Sequence, residues 1–488
     1  MKDLALKSPE RSKLLASLPG ILLYVYLSFI YAPTSNNPLF FVAIGISLMV
    51  INLWIAEPFP IWISSLVPLL LLPLHGVIDF LPGLKAYYST TILLFLGGFL
   101  LAYSVEKWHL HRRIAYRLLA LTGDNPKGII WGMMLTTCLI SMWISNTATA
   151  IMMLPVAMSI AGMVNDHHSK DNKAFFVSLM LGIAYGANIG GVATIVGTPP
   201  NIVYKGFVNE ILHTDISFLK WMLVGVPLSL IMLWCSHFMM VNVIFRFKHR
   251  SFPEVAEMLN KQSNKLGKIK GPELRTLIVF SVAAALWIFG EPINNWLKQA
   301  NIPFKVEEYL VAMIFGCLLF FIPKQTGTKE RLLDIKDLKK INWSILILFG
   351  GGMCMAKGLE QAGVIRWVGE QITGASDIPF AWLLLLIILS SIVLTALMSN
   401  VALAQIYLPV IFGISTSLGL DNPHILGITV TMACSFDFMF PISTPPNAVV
   451  FSSGKVRIKD MAVAGILLNI VGVVLLWLCG MYLIPFIF

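Results

Sequence analysis

Ser145-Asn146-Thr147-Ala148-Thr149-Ala150, running on to Leu154-Pro155-Val156, returns 254 positions later as Ser399-Asn400-Val401-Ala402-Leu403-Ala404, running on to Leu408-Pro409-Val410. Each is followed by a second matched stretch, Gly197-Thr198-Pro199-Pro200-Asn201 and Ser443-Thr444-Pro445-Pro446-Asn447. The sequence around all four is apolar. Small polar side chains, Asn and double Pro at membrane depth cost free energy unless they line a cavity or a broken helix. Their duplication predicts an internal repeat with a binding site where the two halves meet. Phe95-Leu96-Gly97-Gly98 likewise recurs as Phe349-Gly350-Gly351-Gly352, with Gly98 and Gly352 each 47 residues before the Ser of its motif.

Of the 488 residues, 57% are hydrophobic and 12% charged. A soluble domain carries about a quarter charged residues, so this composition defines an all-α polytopic membrane protein. The six cysteines (Cys138, Cys235, Cys317, Cys354, Cys434, Cys479) fall in apolar segments without a C-x-x-C spacing. Neither a disulfide framework nor a zinc site is expected. The formal charge of +10 reads as cytoplasmic loop charge, and no nucleic-acid partner is expected.

Eleven transmembrane helices are expected near 14–33, 38–56, 58–78, 88–105, 174–204, 218–245, 275–291, 306–323, 343–360, 423–452 and 461–486. Segments 128–164 and 378–418 hold the Ser-Asn motifs and read as two re-entrant hairpins. With that topology 28 of the 35 Lys and Arg residues face inside; if both hairpins crossed, the split would be 18 to 17. The excess of cytoplasmic positive charge therefore favours a cytoplasmic N-terminus and an extracytoplasmic C-terminus. No small-x-small cleavage site follows the first apolar run, so it reads as an uncleaved span. The expected organisation is 1–37, an N-terminal segment and first span; 38–245, a first repeat with its hairpin and the broken helix 174–204; 246–274, a basic cytoplasmic loop; and 275–488, a second repeat with its hairpin and the broken helix 423–452. The two inverted repeats are a transporter architecture. An intramembrane enzyme would need a general base beside Ser145 or Ser399; neither is flanked by one, so no enzyme is expected. Segment 107–122 is amphipathic, with Leu110, Ile114, Leu118 and Leu119 on one stripe and Arg112, Arg113 and Arg117 elsewhere. An interfacial helix and a soluble loop helix both fit that pattern.

A hairpin tip ends one short helix and begins another. Helix N-termini offer free N–H groups to an anion, and unwound turns offer carbonyl oxygens to a small hard cation. At these residues the chain resembles the divalent-anion/sodium symporter (DASS) family over nearly its whole length. The resemblance implies an elevator-type homodimer, in which a transport domain slides against a scaffold, located in the bacterial plasma membrane. It implies Na+ as the coupling ion and a small divalent anion as substrate: a C4-dicarboxylate such as succinate, malate or fumarate, or else citrate or sulfate. Sodium-independent exchange is the alternative mode. Substrate contacts would come from Ser145, Asn146, Thr147 and Thr198 in the first half, and from Ser399, Asn400, Val401, Thr444 and Pro445 in the second. One sodium site would use Ser141, Ser145, Asn146 and Gly197; the other would use Thr395, Met398, Asn400 and Ser443.

Val401 stands where Thr147 stands in the first motif and lacks its hydroxyl, and Leu403 and Gln405 replace a more Thr-rich stretch. Asp437, seven residues before Thr444, is an ionisable group at membrane depth and so a functional candidate. It could couple protons, bind a cation, pair with a polar neighbour, or sit protonated. His167-His168 reads as a solvated loop pair, His75 and His237 as lacking an acidic partner, and Trp143 as an interfacial anchor.

Overall fold

The structure is a computed structural model that describes residues 8–164, 170–246, 251–373 and 378–488; the His167-His168 pair lies outside them. Among the described residues all regular elements are helical. The first group is α1 Ser8–Val25, α2 Pro38–Ala56, α3 Ile61–Ser64, α4 Val67–Leu74, α5 Phe80–Ala86 and α6 Thr90–Lys107. Then come α7 Leu110–Ala120, α8 Pro126–Ser141, α9 Asn146–Met163, α10 Lys170–Val192, α11 Pro199–Ile211 and α12 Phe218–Phe238. After α13 Pro253–Lys265, the second part holds α14 Pro272–Gln299, α15 Glu308–Leu318, α16 Trp343–Gln361, α17 Val364–Thr373, α18 Phe380–Thr395 and α19 Asn400–Ser417. It ends with α20 His424–Ala433, α21 Pro445–Phe451, α22 Ile458–Leu478 and α23 Ile484–Ile487. Nine helical segments of the described residues are long and apolar enough to cross a membrane.

Helix starts repeat as the motifs do. α7 and α17, α8 and α18, α9 and α19, and α10 and α20 each begin 254 residues apart. The offset then falls to 246 at α11 and α21, because α20 stops at Ala433 while its counterpart α10 runs on to Val192. The segment expected as one span at 58–78 is two short helices, with Pro68 opening α4 at its second position. A proline near a helix start forfeits no bond, since that N–H is unpaired anyway. Pro199 and Pro445 follow the same rule and open the second halves of the two broken helices.

The apolar window of α10, within Asp171–Val192, is entirely buried. It packs on α8 through Gly182, Gly186 and Gly190, one per turn. A Cβ on Gly190 would lie 2.2 Å from the Cys138 carbonyl oxygen, and one on Gly186 2.8 Å from that of Met134. Small residues at four-residue spacing let two backbones touch in this way. Gly190→Ala must push α10 off α8 and should lower stability by about 1–3 kcal/mol, as overpacking does. The thermal midpoint in detergent measures it, with Gly162→Ala, where nothing lies within 4 Å, as the unaffected control.

The two parts interlock. α11 packs against α19 and α20, while α21 packs against α9 and α10. Each broken helix thereby sets its second half against the other part's helical hairpin. The amphipathic stripe of α7 needs correction: Arg113 is buried and Ile114 exposed. The Arg113 guanidinium reaches both Glu273 carboxylate oxygens at 2.5 and 2.7 Å and the carbonyls of Gly267 and Leu266. A forked donor satisfied on every side can be buried, which a helix-face count cannot anticipate.

Candidate functional site

Four helices begin at the motifs, and a hydroxyl residue caps each. Ser145 precedes α9, Thr198 precedes α11, Ser399 precedes α19 and Thr444 precedes α21. Ser145 Oγ accepts from the Ala148 N–H at 3.3 Å and Thr444 Oγ1 from the Asn447 N–H at 3.4 Å. Thr198 and Ser399 make no such cap with their side chains, so both hydroxyls stay available for a ligand. Ser145, Ser399 and Pro445 are exposed, Asn146, Thr147, Asn400 and Val401 half-buried, and Thr198 and Thr444 buried.

Beneath each tip lies the same group of three oxygens. Ser141 Oγ is 2.7 Å from Asn146 Oδ1 and 2.8 Å from the Ala187 carbonyl. Thr395 Oγ1 is 2.9 Å from Asn400 Oδ1 and 2.7 Å from the Cys434 carbonyl. A hydroxyl has one proton, so only one contact in each group is a hydrogen bond. The other is an oxygen–oxygen approach, the arrangement a hard cation relieves. Gly191 makes room on one side: a Cβ there would stand 2.4 Å from Asn146 Oδ1.

The breaks are clasped in matched fashion. Asn201 Nδ2 donates to the Gly191 and Thr194 carbonyls at 3.0 and 2.7 Å. Asn447 Nδ2 donates to those of Asp437 and Phe440 at 3.3 and 3.0 Å. The Asn of each Thr-Pro-Pro-Asn stretch therefore holds the unwound backbone in shape. Asn188, absent from the sequence-derived candidates, donates to Thr444 Oγ1 at 3.1 Å and the Asp437 carbonyl at 3.3 Å. It joins the two broken helices directly. An amide inside Gly186-Ala187-Asn188-Ile189-Gly190 was its signal, since a lone Asn in buried apolar helix needs a partner.

A cavity of about 130 Å³ opens beside the first tip. Trp143, Ser145 and Ala148 line it from the tip, and Val196, Gly197 and Pro199 from the first break. Phe95, Phe99, Tyr103 and Glu106 of α6 face them, with Lys340 and Asn342 from the loop before α16. Trp143 is therefore a wall of this cavity rather than an interfacial anchor; it stacks on Phe218 with centroids 6.0 Å apart. At the loop end Lys107 meets Asp337 at 2.6 Å. Burial works to raise the Asp337 carboxyl, yet Lys107, the Asp334 N–H and the Tyr103 hydroxyl hold it below its usual range.

Gln405 is buried away from the tips; its amide donates to the Leu348 carbonyl at 3.1 Å and so ties α19 to α16. His75 meets the Tyr24 hydroxyl at 2.8 Å, and His237 the Lys127 carbonyl at 3.0 Å. Asp437 is fully buried in the second break.

Broken helices capped by hydroxyls, with oxygen groups beneath the breaks, define a membrane transporter rather than an enzyme. Residues 12–488 match the family described as the sodium:sulfate symporter transmembrane region, and the chain belongs to that family. It is 34% identical over 485 residues to the sodium-dependent dicarboxylate transporter SdcS of Staphylococcus saprophyticus, covering 98% of this chain and 93% of that one. The SdcS of Staphylococcus aureus strain MRSA252 is also 34% identical, over 91% of this chain and 85% of its own. Two solved structures share the fold. The YdaH transporter of Alcanivorax borkumensis has a TM-score of 0.56 at 13% identity, over 98% of each chain. MtrF of Neisseria gonorrhoeae has a TM-score of 0.53 at 11% identity, over 97% of this chain and 95% of its own.

Proposed function

We propose that this protein couples sodium entry to uptake of a C4-dicarboxylate such as succinate, malate or fumarate across the bacterial plasma membrane. The carrying observation is the pair of matched oxygen groups, Ser141–Asn146–Ala187 and Thr395–Asn400–Cys434, one beneath each tip. They suit two sodium ions. Ser145 and Gly197 complete the first site, Met398 and Ser443 the second. The dianion lies between the tips, against the N-termini of α9, α11 and α19. Ser145, Asn146, Thr147 and Thr198 contact one carboxylate, and Ser399, Asn400, Val401, Thr444 and Pro445 the other. No Lys or Arg belongs to this set, so helix N-termini and bound cations supply the countercharge. Two relatives named as sodium-dependent dicarboxylate transporters support this reading over sulfate transport.

The helix pairs α8–α9 and α18–α19 act as re-entrant hairpins in two inverted repeats, with the N-terminus cytoplasmic and the C-terminus outside. The cavity reaches from the first tip to the loop before α16, which carries Lys336, Lys339 and Lys340 and by its positive charge belongs to the cytoplasmic side, so the conformation is inward-facing. Transport follows an elevator movement of the hairpins and broken helices in each subunit of a homodimer. Moving a dianion inward against a negative-inside potential costs about 2.3 kcal/mol per charge per 100 mV. More than two sodium ions per dianion make the cycle favourable and electrogenic.

Uptake of labelled succinate, citrate and sulfate into proteoliposomes, with and without an inward sodium gradient, is the test. Sodium-driven succinate uptake with inward positive current is expected. Undiminished uptake in sodium-free buffer, accelerated by dicarboxylate inside the vesicles, would make the protein an exchanger instead.

A further inference from the structure

Asp437 lies in the non-helical stretch between α20 and α21, and none of its side chain is exposed. Neither carboxylate oxygen makes a hydrogen bond of ordinary geometry; the polar groups facing it are the Ser443 hydroxyl and the Met439 N–H. Ser443 has no proton to spare, because its hydroxyl already donates to the Phe440 carbonyl at 2.7 Å. Two residues before Asp437, the Ser435 hydroxyl is also buried without a partner. The local backbone is held firmly, since the Asp437 carbonyl accepts from both Asn188 and Asn447. None of the ion pairs among the described residues involves Asp437, which leaves the carboxylate without a countercharge.

An isolated carboxylate in an apolar interior is strongly disfavoured unless it takes up a proton or a cation neutralises it. The unpartnered oxygens of a carboxylate and of the Ser435 hydroxyl, with the Ser443 oxygen beside them in unwound backbone, are ligands for a hard monovalent or divalent cation and poor ligands for soft metals. We propose that Asp437 is a cation ligand: with Ser443 it draws Na+ into the second break and gives that half of the site a negative charge the first half lacks. In the first half, the residue 246 positions earlier is Gly191, still within α10. The two sodium sites are then unequal. The second binds Na+ more tightly and before the dianion, and the negative charge it retains is offset by the ion rather than by substrate. This extends the sodium-coupled reading given above, and its test separates the two.

The purified full-length protein is titrated with NaCl at constant ionic strength, with choline as the replacement cation and no dicarboxylate present. Thermal midpoint and 22Na+ binding are the readouts. Wild-type protein should be stabilised saturably by Na+; if it is not, the sodium-coupled reading itself fails. Asp437→Asn, nearly isosteric, should raise the half-saturating Na+ concentration at least tenfold or remove one bound 22Na+ per chain. Ser443→Ala should weaken the same phase, and adding it to Asp437→Asn should have little further effect. Asp437→Glu, which keeps the charge, gives a second reading if the amide variant folds poorly; it should keep the number of bound ions and shift only their affinity. An Asp437→Asn protein with wild-type ion count and a half-saturation within twofold of wild type overturns the proposal. So does a Ser443→Ala protein whose Na+ titration superimposes on wild type.

Discussion

Asn146→Ala is expected to raise the sodium concentration for half-maximal succinate uptake by roughly 10- to 100-fold, which corresponds to removing one half-buried, shared polar contact worth about 1–3 kcal/mol. Asn146 Oδ1 is one of three oxygens gathered around Ser141, and its amide rests on the bare backbone of Gly191. The alanine variant deletes the oxygen without disturbing the Ser141 bond to Ala187, which spans 46 positions and holds the hairpin to α10. The protein should therefore fold and bind sodium weakly. Asn400→Ala should behave alike, since Thr395 keeps its Cys434 bond. The measurement is initial uptake rate against external sodium at saturating succinate, with thermal midpoint in choline as a folding control. Wild-type sodium dependence in both variants would remove the two oxygen groups from the coupling mechanism.

Lys205→Ala should destabilise the protein by about 3 kcal/mol or more, the usual consequence of stripping one partner from a buried ion pair. Lys205 is 5% exposed and sits in α11, the second half of the first broken helix. Its ammonium contacts Asp215 at 2.7 Å, Glu308 at 2.9 Å and the Ile216 carbonyl at 2.7 Å. Asp215 can turn to solvent when the lysine is lost, since its side chain is already 58% exposed. Glu308 cannot, and it is left with only the Phe218 N–H at 2.6 Å. Adding Glu308→Gln to Lys205→Met should recover much of the loss, because an amide needs no countercharge and still accepts from Phe218. Thermal midpoints of the two singles and the double give the coupling energy directly. Additive losses would show that the two groups act independently. Because Glu308 opens α15 while Lys205 belongs to the broken helix, the elevator movement proposed above requires this cluster to open. The double variant should therefore also change the rate of uptake more than its half-saturation.

The 254-residue offset between the Ser-Asn motifs is the offset between the starts of α7 and α17, α8 and α18, α9 and α19, and α10 and α20. Of the hydroxyl residues singled out as candidate ligands, Ser145, Thr198, Ser399 and Thr444 each stand immediately before a helix. The stripe on α7 was misread because Arg113 and Ile114 exchange the roles their chemistry suggests. Arg113 is covered by Glu273 and by two carbonyls 153 and 154 positions away, which no window of sequence contains.

What the sequence by itself determined is where the chain must break and which residues stand at the breaks. Polar side chains, glycines and paired prolines inside apolar sequence are a local signal, since each carries its energetic cost wherever the chain folds. What only the tertiary structure decided is which oxygens meet. Asn146 and Asn400 could have faced an anion or a cation. They turn instead toward Ser141 and Thr395, whose hydroxyls in turn meet the Ala187 and Cys434 carbonyls 46 and 39 positions further on. Asn188 became a bridge, and Asp437 a buried carboxylate without a countercharge, for the same reason. A ligand set is fixed by close packing of distant segments, and that geometry is absent from the order of residues alone.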